Sequence, residues 1–132
     1  MFLSEHLDVN PLGHLAVDGV DTLALAEEYG TPLYVMSEAA IRENCRLYQR
    51  SMERFYGGQG MVAYASKAFC CKAICRLVME EGLGLDVVSA GELYTARAAD
   101  FPMEKVVFHG NNKTVEELFL GCYQKCVEKN AK

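Results

Sequence analysis

The chain has 132 residues, 51% of them apolar, which suits one ordinary domain with a hydrophobic core. Its formal net charge of −5 argues against nucleic-acid binding, because phosphate contacts need clustered Lys and Arg. No apolar run approaches the roughly 20 residues of a membrane span, and no signal-peptide pattern opens the chain, so a cytoplasmic protein with no membrane contact is expected.

The N-terminal third predicts one short helix and one strand. Residues 1–20 are predicted to be irregular because they are rich in turn signals. A helix is predicted over residues 22–29, with Asp21 as its N-cap and Gly30 as its end. The apolar run PLYVM at residues 32–36 predicts a strand.

A longer amphipathic helix is predicted from about Glu38 to Phe55. Ser37 is its expected N-cap, and the glycine-rich residues 57–60 interrupt the pattern after it. Apolar residues recur along it at helical spacing, which predicts one buried face. This stripe consists of Ile41, Cys45, Tyr48, Met52 and Phe55.

From residue 61 onward, short apolar strands alternate with helices. The strands are predicted at 61–66, 85–88 and 105–108, and the helices at 68–81, 90–99 and from 114 onward. Units of this kind indicate an α/β fold with a parallel sheet covered by helices. A β/α barrel has eight units and about 250 residues. The pattern therefore predicts either the first part of a barrel or a small open α/β sheet.

The six cysteines predict core packing rather than chemistry. They form no C-x-x-C pair, so neither a zinc ribbon nor a thioredoxin-type motif is expected. Cys71 and Cys75, and likewise Cys122 and Cys126, are four residues apart, which places each pair on one helix face. We interpret them as core residues in a reducing cytoplasm, with no metal site.

Three side chains that could take part in catalysis or binding lie at or near the ends of the predicted parallel strands. Lys67 directly follows the first of these strands, Asp86 lies in the second and His109 follows the third. Ligands of parallel α/β folds bind at the carboxyl ends of the strands, so these side chains would converge on one opening. A lysine there is partly desolvated, which favours the neutral amine needed for a Schiff base.

Each candidate also has a simpler interpretation. Lys67 could be a solvated lysine, and His109 a surface or turn residue. Asp86 needs a partner in its apolar strand, either Lys67 in a structural ion pair or backbone amides, because burying a bare carboxylate is costly. Ser89-x-x-Glu92 is a capping box, which explains Glu92 without any chemistry.

Four segments in order resemble one enzyme family. The segment YASKAF at Tyr64–Phe69 resembles the cofactor-lysine segment of the alanine-racemase-type (fold type III) pyridoxal-phosphate (PLP) enzymes. Gly82–Leu93 and Val106–Thr114 resemble the second-strand and third-strand segments of diaminopimelate decarboxylases, and Tyr29–Glu38 resembles their lead into the barrel. The resemblance covers about residues 10–118.

This resemblance implies a carboxy-lyase of lysine biosynthesis that converts meso-diaminopimelate to L-lysine. Lys67 would hold the cofactor, pyridoxal 5′-phosphate, as a Schiff base. Asp86 would lie near that lysine and the cofactor, and Glu92 and His109 would line the same opening. PLP would accept the electrons left when carbon dioxide departs, while the protein supplies orientation and charge.

The resemblance also implies an architecture. Residues 31–132 would be the first part of a PLP-binding β/α (TIM-type) barrel, and residues 1–30 a lead-in associated with the second, β domain of the family. Family members are homodimers whose active sites are shared across the interface and whose small-molecule substrates are amino acids. The family's glycine-rich phosphate loop and E-P-G-R segment do not occur in this sequence, so an inactive N-terminal fragment is expected.

Two alternatives stay open. The chain could belong to another PLP-dependent decarboxylase of the same fold, acting on arginine, ornithine or a carboxylated polyamine. It could also be a non-catalytic partner that docks onto a full-length enzyme through an unpaired sheet edge.

Overall fold

The computed structural model describes residues 4–111 and 113–130, with side chains up to Cys122. The chain forms two compact units, Met1–Asn44 and Cys45–Lys132. No helix in the described ranges is both long and apolar enough to cross a membrane. The division at residue 30 into a lead-in and a barrel portion stays a prediction.

The first unit contains a small antiparallel sheet of three strands. These are β1 (Leu7–Val9), β2 (Leu15–Val17) and β3 (Val20–Asp21), in the order β1-β2-β3. Asp18 and Gly19 connect β2 to β3 with positive φ angles of 49° and 79°, as a tight hairpin turn requires. The prediction of irregular backbone over residues 1–20 is therefore wrong, because strands of two or three residues are too short to show alternation.

Both predicted N-terminal helices are confirmed. Helix α1 (Thr22–Tyr29) begins after Asp21, whose side chain accepts hydrogen bonds from backbone amides of the first turn, and it ends at Gly30 with φ 79°. Helix α2 (Glu38–Tyr56) begins after Ser37, whose Oγ accepts a hydrogen bond from the amide of Ala40 at 3.0 Å. The cap residues thus determine where both helices begin.

The strand predicted over residues 32–36 is not present. These residues form no helix and pair with no strand, and each of them is exposed. Tyr34 in the middle of the run is 94% exposed. An apolar run becomes a strand only where a partner offers hydrogen bonds, and the described residues offer none to this segment.

The second unit is a parallel α/β arrangement, as predicted. Its elements are β4 (Ala63–Ala65), α3 (Lys72–Glu80), β5 (Gly84–Val87), α4 (Ala90–Ala98), β6 (Val106–Phe108) and α5 (Val115–Asn130). The strand order is β4-β5-β6, with both pairings parallel. β4 and β6 are the outer strands of this sheet within the described residues.

The two faces of this sheet differ in their surroundings. Leu85 and Val87 are fully buried on the face covered by the helices. The register pairs Asp86 with Val107, so both lie on the opposite face, where Val107 is 42% exposed. The core lies under the helices and includes Ile74, Cys75, Val78, Leu85, Val87, Leu93, Ala96, Phe101, Met103 and Val106.

The apolar stripe predicted along α2 is only partly covered in the described chain, with Ile41 and Met52 half-buried. Cys45 is buried, but Tyr48 and Phe55 are 63% and 70% exposed. Amphipathic spacing therefore located the helix correctly without showing that its apolar face is covered.

The core interpretation of the cysteines is confirmed for Cys45 and Cys75 and is wrong for Cys122. Cys45 and Cys75 are buried and form no disulfide, and burial raises the pKa of the Cys75 thiol to about 12. Cys71 is partly buried, whereas Cys122 is exposed. The side chain of Cys126 lies outside the described residues.

Candidate active site

Lys67 lies where the sequence predicts it, immediately beyond the carboxyl end of a parallel strand. Strand β4 ends at Ala65, and Ser66–Ala68 form a single 3-10 turn that carries Lys67. Helix α3 consequently begins at Lys72. The sequence predicts a start near residue 68, so that boundary is wrong. Lys67 is exposed, so the partial desolvation predicted for it is wrong for the described chain, and it makes no hydrogen bond or ion pair with any described residue.

Asp86 lies in the neighbouring strand, opposite the last residue of β4. The register pairs it with Ala65, two residues before Lys67. Its Oδ1 is buried and has no hydrogen-bond partner among the described residues. A buried carboxylate oxygen without a donor is costly, so this position requires a cation or an N–H group from outside the described contacts. The expected ion pair with Lys67 is not formed.

Ser66 links these two strand ends, although the sequence analysis did not single it out. It is 1% exposed, and its Oγ donates a hydrogen bond to the backbone carbonyl oxygen of Asp86 at 2.8 Å. The available signal was its place between a buried strand and the candidate lysine, because a polar side chain there must find a partner.

Glu92 caps helix α4, as the simpler interpretation predicts. Its Oε2 accepts hydrogen bonds from the amides of Val88 at 2.7 Å and Ser89 at 2.9 Å. The hydroxyl of Ser89 accepts one in return from the amide of Glu92 at 3.3 Å, which completes the capping box. A role of Glu92 toward a cofactor stays a prediction.

His109 follows the third strand and has an exposed side chain. Its backbone amide donates to the carbonyl oxygen of Val87 at 2.9 Å, which extends the pairing of β5 and β6 by one residue. The next residue, Gly110, has φ +135° and accepts a hydrogen bond from Nζ of Lys113 at 2.8 Å. The backbone thus turns sharply directly after His109, at the edge that carries Lys67.

The parallel sheet brings the predicted candidates to one edge. The carboxyl ends of β4, β5 and β6 coincide, so Lys67, Asp86 and His109 occupy three successive strand ends. Their placement was predicted correctly, while their roles stay predictions. Among the described residues no group of His, Cys, Asp and Glu is arranged to hold a metal ion.

The chemistry of this edge fits PLP. An amine at Lys67 can bind the cofactor aldehyde covalently, and the unpartnered oxygen of Asp86 can accept a hydrogen bond from a cationic group. The side chain of His109 is exposed and available to a ligand.

Comparison with known proteins identifies the family of this chain. Residues 38–127 match the family model described as the pyridoxal-binding domain of pyridoxal-dependent decarboxylases. Diaminopimelate decarboxylase of Bacillus subtilis strain 168 is 55% identical over 118 residues, which are 89% of this chain and 27% of that protein. The enzyme of Bacillus methanolicus is 52% identical over the same shares of the two chains.

Solved structures show the same similarity. Diaminopimelate decarboxylase from M. jannaschii in complex with L-lysine aligns with a TM-score of 0.80 and 42% identity, over 93% of this chain and 29% of that one. The chain thus spans about a quarter of the length of the curated relatives it matches. By the family match, the chain belongs to the pyridoxal-dependent decarboxylases, and its residues 38–127 correspond to their pyridoxal-binding domain.

Proposed function

We propose that this chain supplies the cofactor-lysine part of a PLP-dependent decarboxylase that converts meso-diaminopimelate to L-lysine. The observation that carries the proposal is the placement of Lys67 just beyond the carboxyl end of β4, next to Asp86 on β5, whose Oδ1 is buried without a partner among the described residues. The names of the similar enzymes support the choice of substrate.

Each residue of the site has a proposed task. Lys67 holds PLP covalently through its amine, and the buried Oδ1 of Asp86, which has no partner among the described residues, accepts a hydrogen bond from the cofactor. His109 and Glu92 line the same opening and help to bind the cofactor, His109 through its exposed imidazole and Glu92 by ordering the Val88–Ser89 backbone. PLP, when bound, supplies the electron sink that decarboxylation requires.

The wider architecture is part of the proposal. Residues 31–132 form the first part of a PLP-binding TIM-type barrel, and residues 1–30 associate with a second, β domain. The enzyme is a cytoplasmic homodimer. The open outer strands β4 and β6 support the barrel assignment, since further parallel strands can pair there.

The attachment of PLP is tested by absorption spectroscopy with two lysine variants. PLP in excess should give a visible band that Lys67→Ala weakens strongly and Lys72→Ala leaves unchanged. Lys72 is a matched control because it is also exposed and lies five residues away. Equal bands in the two variants would show that Lys67 has no special role.

Substrate class is tested by competition in the same assay. Amino acids compete with Lys67 for the cofactor aldehyde, so a fitting substrate should reduce the Lys67-dependent part of the band at the lowest concentration. We expect meso-diaminopimelate to act at lower concentration than L-ornithine or L-arginine. The reverse order would favour another decarboxylase of this family.

A further inference from the structure

Lys67 lies on a turn with little structure of its own. Ser66–Ala68 form one 3-10 turn, and the preceding residue, Ala65, makes no side-chain capping bond. Lys67, Ala68 and Phe69 are all exposed. Short 3-10 turns have poor hydrogen-bond geometry, so the shape of this one depends on contacts from outside it.

Ser66 fixes the first end of the turn. It is the one polar residue that is buried in the described part of the chain, and its hydroxyl donates to the carbonyl oxygen of Asp86 at 2.8 Å. Regular pairing between β4 and β5 ends at Ala65 and Asp86. The Ser66 hydroxyl therefore continues the connection between the strands one residue further, directly next to Lys67.

Tyr64 fixes the other end. Its hydroxyl donates to the carbonyl oxygen of Phe69 at 3.0 Å, across the whole turn. Burial raises the pKa of Tyr64, so the hydroxyl keeps the proton that it donates. The turn that carries Lys67 is thus held by one bond to the neighbouring strand and one bond within its own segment.

We propose that Ser66 is a positioning residue, whose hydroxyl holds the Lys67 turn in register with Asp86 so that the amine and the carboxylate face one opening. Ser66 need not touch the cofactor itself. The inference rests on the proposed function, because it concerns how Lys67 is presented to PLP. Displacement of a reacting group by about 1 Å is enough to lower reactivity strongly.

The test compares variants of nearly equal shape. Ser66→Thr keeps the hydroxyl. Ser66→Val introduces a side chain of nearly the same volume as threonine but without the hydroxyl. Ser51→Ala is the control, since it removes a hydroxyl that donates to a backbone carbonyl at 2.8 Å within α2. Each protein is treated with PLP and borohydride and then digested. Mass spectrometry gives the ratio of phosphopyridoxyl groups on Lys67 to those on Lys72.

We expect the parent chain, Ser66→Thr and Ser51→Ala to prefer Lys67. In Ser66→Val the ratio should fall about five-fold, as the loss of one hydrogen bond implies. An unchanged ratio in Ser66→Val, with or without a lower melting temperature, would mean that Ser66 is only structural and would overturn the inference.

One further result distinguishes failure of the proposed function from failure of the inference about Ser66, and a replacement variant covers the case in which Ser66→Val does not fold. A parent chain that labels Lys67 and Lys72 equally would contradict the proposed function, and the inference about Ser66 would fall with it. If circular dichroism shows that Ser66→Val does not fold, Ser66→Ala replaces it, because it removes the hydroxyl without adding volume. A fall of about five-fold in the Lys67-to-Lys72 labelling ratio of Ser66→Ala then supports the inference, and an unchanged ratio overturns it.

Discussion

At the scale of single residues, Asp86 combines an unfavourable position with a proposed role. Its Oδ1 is buried without a hydrogen-bond partner among the described residues. Strain of this kind is typical of functional sites, where a ligand supplies the missing partner. The carboxylate should therefore cost stability in the chain alone and support binding when PLP is present.

Replacing Asp86 by Asn tests this trade-off. We expect Asp86→Asn to leave the free energy of unfolding unchanged or to raise it by up to about 1 kcal/mol, since it removes a poorly satisfied charge. The same change should reduce PLP labelling of Lys67. Urea unfolding and borohydride trapping measure the two effects, with the exposed Asp8→Asn as control. A clear loss of stability together with normal labelling would contradict the proposed role.

His6 has carboxylates at both ring nitrogens. Its Nδ1 lies 2.7 Å from Oδ1 of Asp18, and its Nε2 lies 3.2 Å from Oε2 of Glu43. Both nitrogens must donate, so the charged imidazolium is favoured. The hydrogen bond to Asp18 is the main cause that raises the pKa of His6 above its ordinary value of 6.5, and Glu43 adds to it.

The raised pKa of His6 predicts a pH dependence of stability. The stabilisation is complete below the ordinary histidine pKa of 6.5, and it is lost as the pH rises through the higher pKa of the folded protein. The melting temperature of the parent should therefore fall over this range more than that of His6→Asn. An NMR titration of the His6 ring checks the pKa directly. Parallel melting profiles would disprove the effect.

Residue types and their order predicted Lys67, Asp86 and His109 at the strand ends, because chemistry-bearing side chains there stand out from an apolar pattern. Ser66 could not be predicted in the same way. Its task depends on its register with Asp86, and a strand register is a tertiary property that the local sequence does not contain.

At the scale of elements, the two faces of the parallel sheet allow a matched comparison. Val87 is fully buried under the helices, while Val107 on the neighbouring strand is 42% exposed on the opposite face. We expect Val87→Ala to lower the free energy of unfolding by about 2 kcal/mol and Val107→Ala by less than about 0.5 kcal/mol. Urea unfolding measures both, and similar losses would mean that the helices do not cover one face alone.

Elements with strong local signals were predicted well. Helices α1 and α2 begin at the predicted capping residues, and the parallel strands follow the apolar runs. The errors fall where a partner decides the structure. The run at residues 32–36 has no strand to pair with, whereas the very short strands β1 to β3 form because hairpin turns bring them together.

At the scale of the whole molecule, the described chain leaves much apolar surface uncovered. Large side chains such as Tyr34, Phe55 and Phe119 are each at least 70% exposed, and Val107, on the sheet face opposite the covering helices, is 42% exposed. Decarboxylation depends on a site that excludes water and fixes charge. The sequence predicted the parallel sheet but not which of its faces remain uncovered. The spacing of apolar residues identifies an apolar face, but it does not identify the element that packs against that face.

This open arrangement predicts that the 132-residue chain alone is inactive. With excess PLP and meso-diaminopimelate, carbon dioxide release should not exceed that of free PLP, and Lys67→Ala should give the same rate. A rate above that of free PLP that depends on Lys67 would refute the expectation of an inactive chain, while leaving the proposed role of Lys67 intact.

The position at which PLP becomes attached tests the central claim most directly. The chain is incubated with PLP, reduced with borohydride and mapped by peptide mass spectrometry. We predict that the phosphopyridoxyl group is found on Lys67 in clear preference to the exposed Lys72 and to Lys105, whose Nζ donates to a backbone carbonyl. Labelling spread evenly over the lysines, or concentrated on a lysine other than Lys67, would contradict the account.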